Sequence, residues 1–307
     1  MLLTQLKSLR ISTCIALFFL CLCSSISIHA SSDNAATFSL DEIAPDVYVH
    51  YGKHVEFDDP LHDDIANIGF IVGDKCVAVI DTGGSVRTGQ RLLSAIRKTT
   101  SKPICYVINT HIHFDHLLGN IVFQNDQVKF VGHKNLEEEV IASRAFFLQQ
   151  FRNDLGDSPT ENSIVGPNQS VEDSNMQIDL GNRILDLTAY NSAHSHSDIS
   201  IYDRRSKSLW LSDLLFVQRI PALDGSLKGW LDVVEGIKKS PAERFIPGHG
   251  PVSPRSSSAL ADLERYLRTL LSQTRKKIVE GLFMEDIVDS VGNSEKKLWL
   301  LHEQHHK

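Results

Sequence analysis

The chain has 307 residues, 42% of them hydrophobic and 22% charged, with 31 Lys and Arg against 38 Asp and Glu for a formal net charge of −7. That is ordinary globular composition, long enough for one large domain with a sizeable core. An acidic balance without clustered Lys and Arg argues against a nucleic-acid partner, since phosphate binding needs concentrated positive charge.

Lys7 and Arg10 precede the thirteen-residue apolar run "ISTCIALFFLCLC", and "SIHA" ends in a small residue, so residues 1–30 read as a signal peptide cleaved after Ala30. The apolar run is short for a membrane span, although an uncleaved N-terminal anchor is the rival reading. Leu22, not a small residue, precedes Cys23, which argues against a lipoprotein. Cleavage removes two basic groups and no acid, leaving a mature chain at −9 that is exported, periplasmic or secreted. We read residues 31–307 as one domain, with no linker-like break in composition and no stable membrane span once the signal is gone. Of five cysteines, Cys14, Cys21 and Cys23 lie in the signal; Cys76 and Cys105 each open an apolar run. In an oxidising compartment these two either bridge or stay buried as small apolar thiols, depending on strand register.

"VYVHYG" and "NIGFIVG" read as strands joined by the charged loop "KHVEFDDPLHDDIA", whose His54, His62 and acids are placed to form a flap. "CVAVIDTGG" is a buried strand ending in a Gly-rich turn. "TGQRLLSAIRKTT" is a helix with Leu92, Leu93 and Ile96 on one face, and "PICYVINTH" is the next strand. Strand, helix, strand in this order is a parallel βαβ unit, and such units build sites at the carboxyl ends of their strands, where Asp81 and His111 fall. "HKNLEEEVIASRAFFLQQFRNDLG" is helical, with His133 in "VGHKN" read as structural. "SIVGPNQSVEDSNMQIDLGNRILDLTAY" is β with turns. "DISIYDRRSKSLWLSDLLF" alternates as a hairpin turning near Arg204–Lys207. "GWLDVVEGIKKS" is a helix, "RFIPGHGP" a short strand and loop, and a long amphipathic helix starts near Ser257. The terminal "HEQHHK" reads as a frayed polar tail.

"THIHFDH" packs His111, His113, Asp115 and His116 into six residues. Residues two apart on an extended segment point the same way, so His111 and His113 converge on one position. After the turn at Phe114, Asp115 and His116 face a second position. Imidazole and carboxylate around an open position are the ligand chemistry of hydrolytic zinc. Later segments add His194 in "NSAHSHSD", Asp213 at the end of the apolar strand "LWLSDLLF", and His249 between two glycines in "FIPGHGP". A lone loop histidine is ordinarily a surface residue and a lone Asp after a strand ordinarily a turn residue; the whole ordered set is a stronger signal.

"DTGG", "HIHFDH", "AHSHSD", "SDLLF" and "PGHG", spread from Val47 to Pro251, resemble the metallo-β-lactamase fold superfamily. The resemblance implies an α/β fold, a four-layer αββα sandwich with two mixed β-sheets and metals at one edge. It implies that His111, His113 and His194 hold one zinc ion, that Asp115, His116 and His249 hold another, and that Asp213 bridges them. "IGFIVGDKCVAVIDTGGS", "CYVINTHIHFDH" and "LDGSLKGW" further resemble the exported quinoprotein relay system zinc metallohydrolases. That subgroup implies a role beside a periplasmic quinoprotein dehydrogenase system.

The implied activity is hydrolysis of a small ester, thioester, lactone or related electrophile by a metal-bridging hydroxide, with Asp115 orienting it and taking its proton. Asp81 is placed to accept a ligand histidine's free N–H, or else only to tie down the Gly turn. Asp213 stands where several β-lactamase subclasses carry cysteine or no bridging acid, and His113 where the flavodiiron branch carries glutamate. Both departures turn the expectation away from antibiotic hydrolysis and from a redox di-iron centre. Two alternatives stay open: a mononuclear iron persulfide dioxygenase using His111, His194 and Asp213, and a non-catalytic accessory protein for a quinoprotein. Substrate selection falls to "KHVEFDDPLHDDIA" and "RIPALDGSLKGWL". Lys228 there is either an anion partner or a solvated lysine, and His196 either a substrate-side donor or simply exposed.

Overall fold

The computed structural model describes residues 38–172 and 175–301. The segment read as a signal peptide and the terminal "HEQHHK" lie outside the described residues. Strands β1 (Asp41–Ala44), β2 (Val47–His50), β3 (Ile68–Val72), β4 (Val77–Ile80), β5 (Ile104–Ile108), β6 (Lys129–His133) and β7 (Gln169–Val171) form a seven-stranded sheet in sequence order. Its first four strands pair antiparallel and the last four parallel. Strands β8 (Met176–Asp179), β9 (Ile184–Ala189), β10 (Ile199–Asp203), β11 (Ser208–Phe216), β12 (Arg244–His249) and β13 (Ser253–Pro254) form a second sheet of six, again in sequence order. Only β11 and β12 pair parallel there.

Apolar residues on the facing sides of the two sheets pack together. Val47, Ile71, Ile80 and Val131 come from the first sheet, and Leu185, Ile199, Trp210 and Ile246 from the second. Strands β3, β4 and β11 are buried along their whole length, because helices cover the outer faces as well. Over the first sheet lies α1 (Val86–Thr99), whose Leu92 and Ile96 meet Phe70, Val79 and Phe130. Its start is fixed by Ser85, whose Oγ accepts the Thr88 N–H at 2.9 Å. The short α2 (Phe114–Leu117) and α3 (Leu136–Gln150) pack beside it through Leu117, Leu136, Val140 and Phe147. Over the second sheet lie α4 (Leu227–Ile237) and α5 (Ala259–Val279), which bury Trp230, Val234, Leu263 and Leu267. A short α6 (Met284–Ile287) follows. The two mixed sheets with flanking helices are the αββα sandwich expected from the sequence.

The hairpin turn falls between Asp203 and Ser208, as the alternation indicates. Cys76 and Cys105 are joined by a disulfide, with Cα atoms 5.8 Å apart across the parallel β4–β5 pair. One expectation needs correcting. Asp213 sits inside β11, not at its end, beside Ser212, which takes a left-handed φ of 48° where the register with β12 shifts. A bulge of this kind turns a buried strand's side chain toward a site without ending the strand.

Candidate metal centre

Seven side chains from the edges of both sheets meet at one end of the sandwich. His111 follows β5, His113 caps α2, and Asp115 and His116 ride its single turn. His194 comes from the β9–β10 loop, Asp213 from the bulge of β11, and His249 ends β12. They fall into two groups whose ligand atoms lie within 4.8 Å of one another: His111, His113, His194 and Asp213; and Asp115, His116 and His249. His113 Nδ1 lies 3.0 Å from His111 Nε2 and 2.9 Å from His194 Nε2. Asp213 faces both groups. Its Oδ2 is 3.4 Å from His194 Nε2 and 3.3 Å from His249 Nε2, and its Oδ1 is 3.2 Å from His116 Nε2.

The outward nitrogen of every one of these histidines is already engaged, which turns the other toward the common space. His116 Nδ1 lies 2.8 Å from Asp81 Oδ2, His194 Nδ1 is 2.9 Å from Ala222 O, and His249 Nδ1 is 2.8 Å from Ile65 O. His111 Nδ1 meets Thr110 Oγ1 at 3.0 Å, and His113 Nε2 meets Asp224 Oδ2 at 3.2 Å. Partners of this sort fix tautomer and ring orientation in metal-ligating histidines. His116 Nε2 and Asp213 Oδ1 are buried and make no hydrogen bond of good geometry, although they lie 3.2 Å apart. Buried polar atoms are seldom left so. Their lone pairs, with two carboxylates and five imidazoles in one buried space, form a donor set that fits divalent zinc. Gly248 keeps the space open, because a Cβ there would overlap the Asp213 carboxylate.

The electrostatics agree with that reading. Burial, then the neighbouring His116, pushes His111 well below the usual histidine range, and burial brings His194 down to about 4. Both therefore present lone pairs at neutral pH. Burial works against charge on His116 as well, yet Asp115, Asp213 and Asp81 together carry it well above its ordinary value. Burial would likewise raise Asp213, but His249 and His116 hold it well below the carboxylate range. Asp115, Asp213 and Asp81 thus crowd carboxylate charge around His116, and a cation held there would balance it in place of the proton.

Asp81 does more than brace a turn. Its carboxylate accepts from Thr110 N and Thr110 Oγ1, both at 2.8 Å, and meets His116, so it sets two ligand-bearing segments at once. Ser212 Oγ joins this network, 2.8 Å from Thr110 Oγ1. Behind His194, Asp198 accepts from Ser195 N at 2.8 Å and Ser195 Oγ at 2.6 Å, and its burial pushes it up to about 6.

A cavity of about 210 Å³ opens over the centre, lined by Phe57, Phe114, Phe216 and Leu223 and by the ligand residues His113, Asp115, Asp213 and His249. Arg219 and Asp224 also line it. Arg219 is buried and donates from Nη1 to Val55 O at 3.0 Å. Of the two cations in the quoted loop, Arg219 lines the cavity, whereas Lys228 is exposed on the first turn of α4 and is not among the lining residues, which fits its reading as a solvated lysine. His196 is also exposed, its carbonyl accepting from Asn135 Nδ2. In the expected flap, Phe57 reaches the cavity, while His62 Nε2 is held 3.1 Å from Asp154 Oδ2. The Asn135 N–H donates to His133 Nδ1 at 3.1 Å, a local contact apart from the ligand set.

Residues 62–249 match the Metallo-beta-lactamase superfamily, and the chain belongs to it. Among solved structures it is similar to a metallo-β-lactamase from Pontibacter korlensis, at 19% identity and a TM-score of 0.59. That match covers 75% of this chain and 98% of the other. It is also similar to the stereoselective inverting sec-alkylsulfatase Pisa1 from Pseudomonas sp., at 19% identity and a TM-score of 0.61, covering 82% of this chain and 45% of that one. A linear primary-alkylsulfatase from Pseudomonas sp. (strain ATCC 19151) is 30% identical over 89 residues, which are 29% of this chain and 15% of the relative. The chain thus spans less than half the length of either alkylsulfatase at these matches. The solved structures, at this identity, share its fold.

Proposed function

We propose that the chain is an exported dinuclear zinc hydrolase acting on a small ester, thioester, lactone or sulfate ester that carries an anionic group. The carrying observation is that Asp213, clustered with the first group, also lies 3.2 Å from His116 and 3.3 Å from His249 of the second, while every histidine's opposite nitrogen is already engaged. His111, His113 and His194 would hold one ion, Asp115, His116 and His249 the other, and Asp213 both. Bound there, the two zinc ions would supply hydroxide at neutral pH and polarise the electrophile.

The remaining work falls to the chain itself. Asp115, 3.5 Å from both His116 and His249, orients the nucleophile and takes up its proton at the carboxylate. Asp224 steadies His113 through Nε2. Arg219, buried in the cavity wall, binds the substrate's anionic group. Phe57, Phe114 and Phe216 exclude water around the reacting bond. The alkylsulfatase and β-lactamase relatives, hydrolytic by name, support the reaction class. The likeness to quinoprotein relay hydrolases and the signal segment support a periplasmic setting beside a quinoprotein dehydrogenase, and a disulfide suits an oxidising compartment.

The test is metal content by mass spectrometry on untagged mature protein, followed by turnover of carboxylic and sulfate esters, thioesters and lactones at neutral pH. Near two zinc per chain with turnover, and a loss of about 10²-fold or more in kcat for Asp115→Asn, is the expected result. The first group is a complete four-ligand set by itself, which favours one second reading, a single iron used for persulfide oxidation. About one iron per chain with oxygen uptake would establish that instead. Function unchanged in Asp115→Asn would favour an accessory role.

A further inference from the structure

The cavity over the metal centre, at about 210 Å³, falls below the range of about 300–1,000 Å³ in which small-molecule sites lie. It adjoins a second, larger groove of about 480 Å³, with which it shares the lining residues Ala222 and Leu223. That groove runs between the segment after β11, the α5 face carrying Tyr266 and Leu270, and α6 with Met284 and Val288. None of its lining residues is charged, and Thr274 and the Tyr266 hydroxyl are its polar side-chain groups. Leu223, Met284 and Val288 along it are 41%, 74% and 45% exposed. Such a contiguous exposed strip marks a binding surface. The Ala222 carbonyl that holds His194 lies at this shared border.

We infer that the substrate is an amphiphile whose reactive head sits at the metal centre and whose unbranched aliphatic tail crosses Ala222 and Leu223 into the groove between α5 and α6. The border that the groove shares with the head pocket at Ala222 and Leu223 selects this occupant over a protein segment or a bilayer. Groove and pocket together reach an ordinary ligand volume that the pocket alone does not. The inference rests on the hydrolase reading for the head group and on the groove alone for the tail.

The experiment separates the two. Straight-chain carboxylates from butyrate to dodecanoate are titrated calorimetrically, below their micelle concentrations, into zinc-loaded protein, chelator-stripped protein, and zinc-loaded Met284→Glu and Val288→Glu. Both substituted side chains are exposed and lie away from the ligand set. Affinity should rise by about fourfold per methylene until the groove is filled and then level off. Each variant should bind butyrate as the parent does and decanoate at least tenfold more weakly. Stripping the metal should weaken every chain length alike and leave the slope intact. A flat dependence on chain length, or the same slope in both variants, would overturn the tail site whatever the metal reading. Binding of phosphatidylcholine vesicles with the slope unchanged in the variants would make the strip a membrane face and overturn the tail site too. A slope present with no effect of metal would keep the groove and sink the dizinc head-group site.

Discussion

Arg219 and Lys228 lie nine residues apart in one quoted loop, and packing, not sequence, separates their roles. Burial of a guanidinium is set by tertiary contacts, here the Val55 carbonyl, and leaves no trace in a local pattern. Arg219→Met should raise KM for anionic substrates by about 10–100-fold, the worth of a charge-assisted hydrogen bond, and leave neutral esters nearly unchanged; Lys228→Met should do neither. Steady-state kinetics on a matched pair of charged and neutral esters reads this. The seven side chains that cluster at the candidate centre, by contrast, stood out in the sequence as an ordered set, although a single loop histidine or strand aspartate among them carries little signal. Asp224, which holds His113, was quoted within a motif yet went unassigned, since an acid at a loop tip has many uses. Away from the site, Arg183 and Asp203 form a buried pair with Nη2–Oδ2 at 2.5 Å. Burial opposes ionisation of Asp203, but Arg183 and Ser206 hold it below the usual carboxylate range. Its folded value is depressed, so its contribution is full above the unfolded value near ~4 and is lost as pH falls through the folded one. Asp203→Asn leaves a buried guanidinium uncompensated and should cost about 3–5 kcal/mol at neutral pH. Denaturant titrations should show that gap narrowing below about pH 4.

Elements were readable in proportion to their length and to the regularity of their burial. The apolar runs of β3, β4, β5 and β11, and the helices α1, α4 and α5, stand out because both faces or one full stripe are covered. Short edge pieces such as β1, "DEIA", carry one buried residue and have no periodicity to detect. The bulge at Ser212 was equally hidden: a positive φ at a serine is a response to the Asp81 and Thr110 network around it, not a local preference. The disulfide sits in the same category, since two cysteines at strand starts leave the register open until the sheet forms. It closes a 29-residue separation around α1. Reduction or the Cys76→Ser, Cys105→Ser pair should lower stability by about 3–4 kcal/mol on chain-entropy grounds, measurable by urea unfolding. Metal content should stay unchanged, because the bridge lies at the opposite ends of β4 and β5 from the ligands.

At the scale of the molecule, the centre draws four ligands from the first sheet and its helix and three from the second. Asn67 reinforces that junction. Its Nδ2 donates to Pro247 O at 2.9 Å and Gly250 O at 2.7 Å, clasping the end of β12 and the residue after it to the segment before β3. Ions held across the two sheets would stabilise the folded state alone. Chelation should therefore lower Tm by about 5–10 °C relative to protein at a hundredfold metal excess over Kd, and differential scanning calorimetry at stepped zinc concentrations reads the dependence.

Each sheet is also made from one uninterrupted stretch of chain, β1 to β7 and then β8 to β13, with a single crossing between them. Cut at that crossing, the chain would become two pieces, each keeping its own strand order and each owning an incomplete half of the ligand set. A protein built this way can be treated as a heterodimer whose halves happen to share a backbone. Its chemistry would exist only at their seam, and zinc would serve as the glue by which the severed partners find each other again.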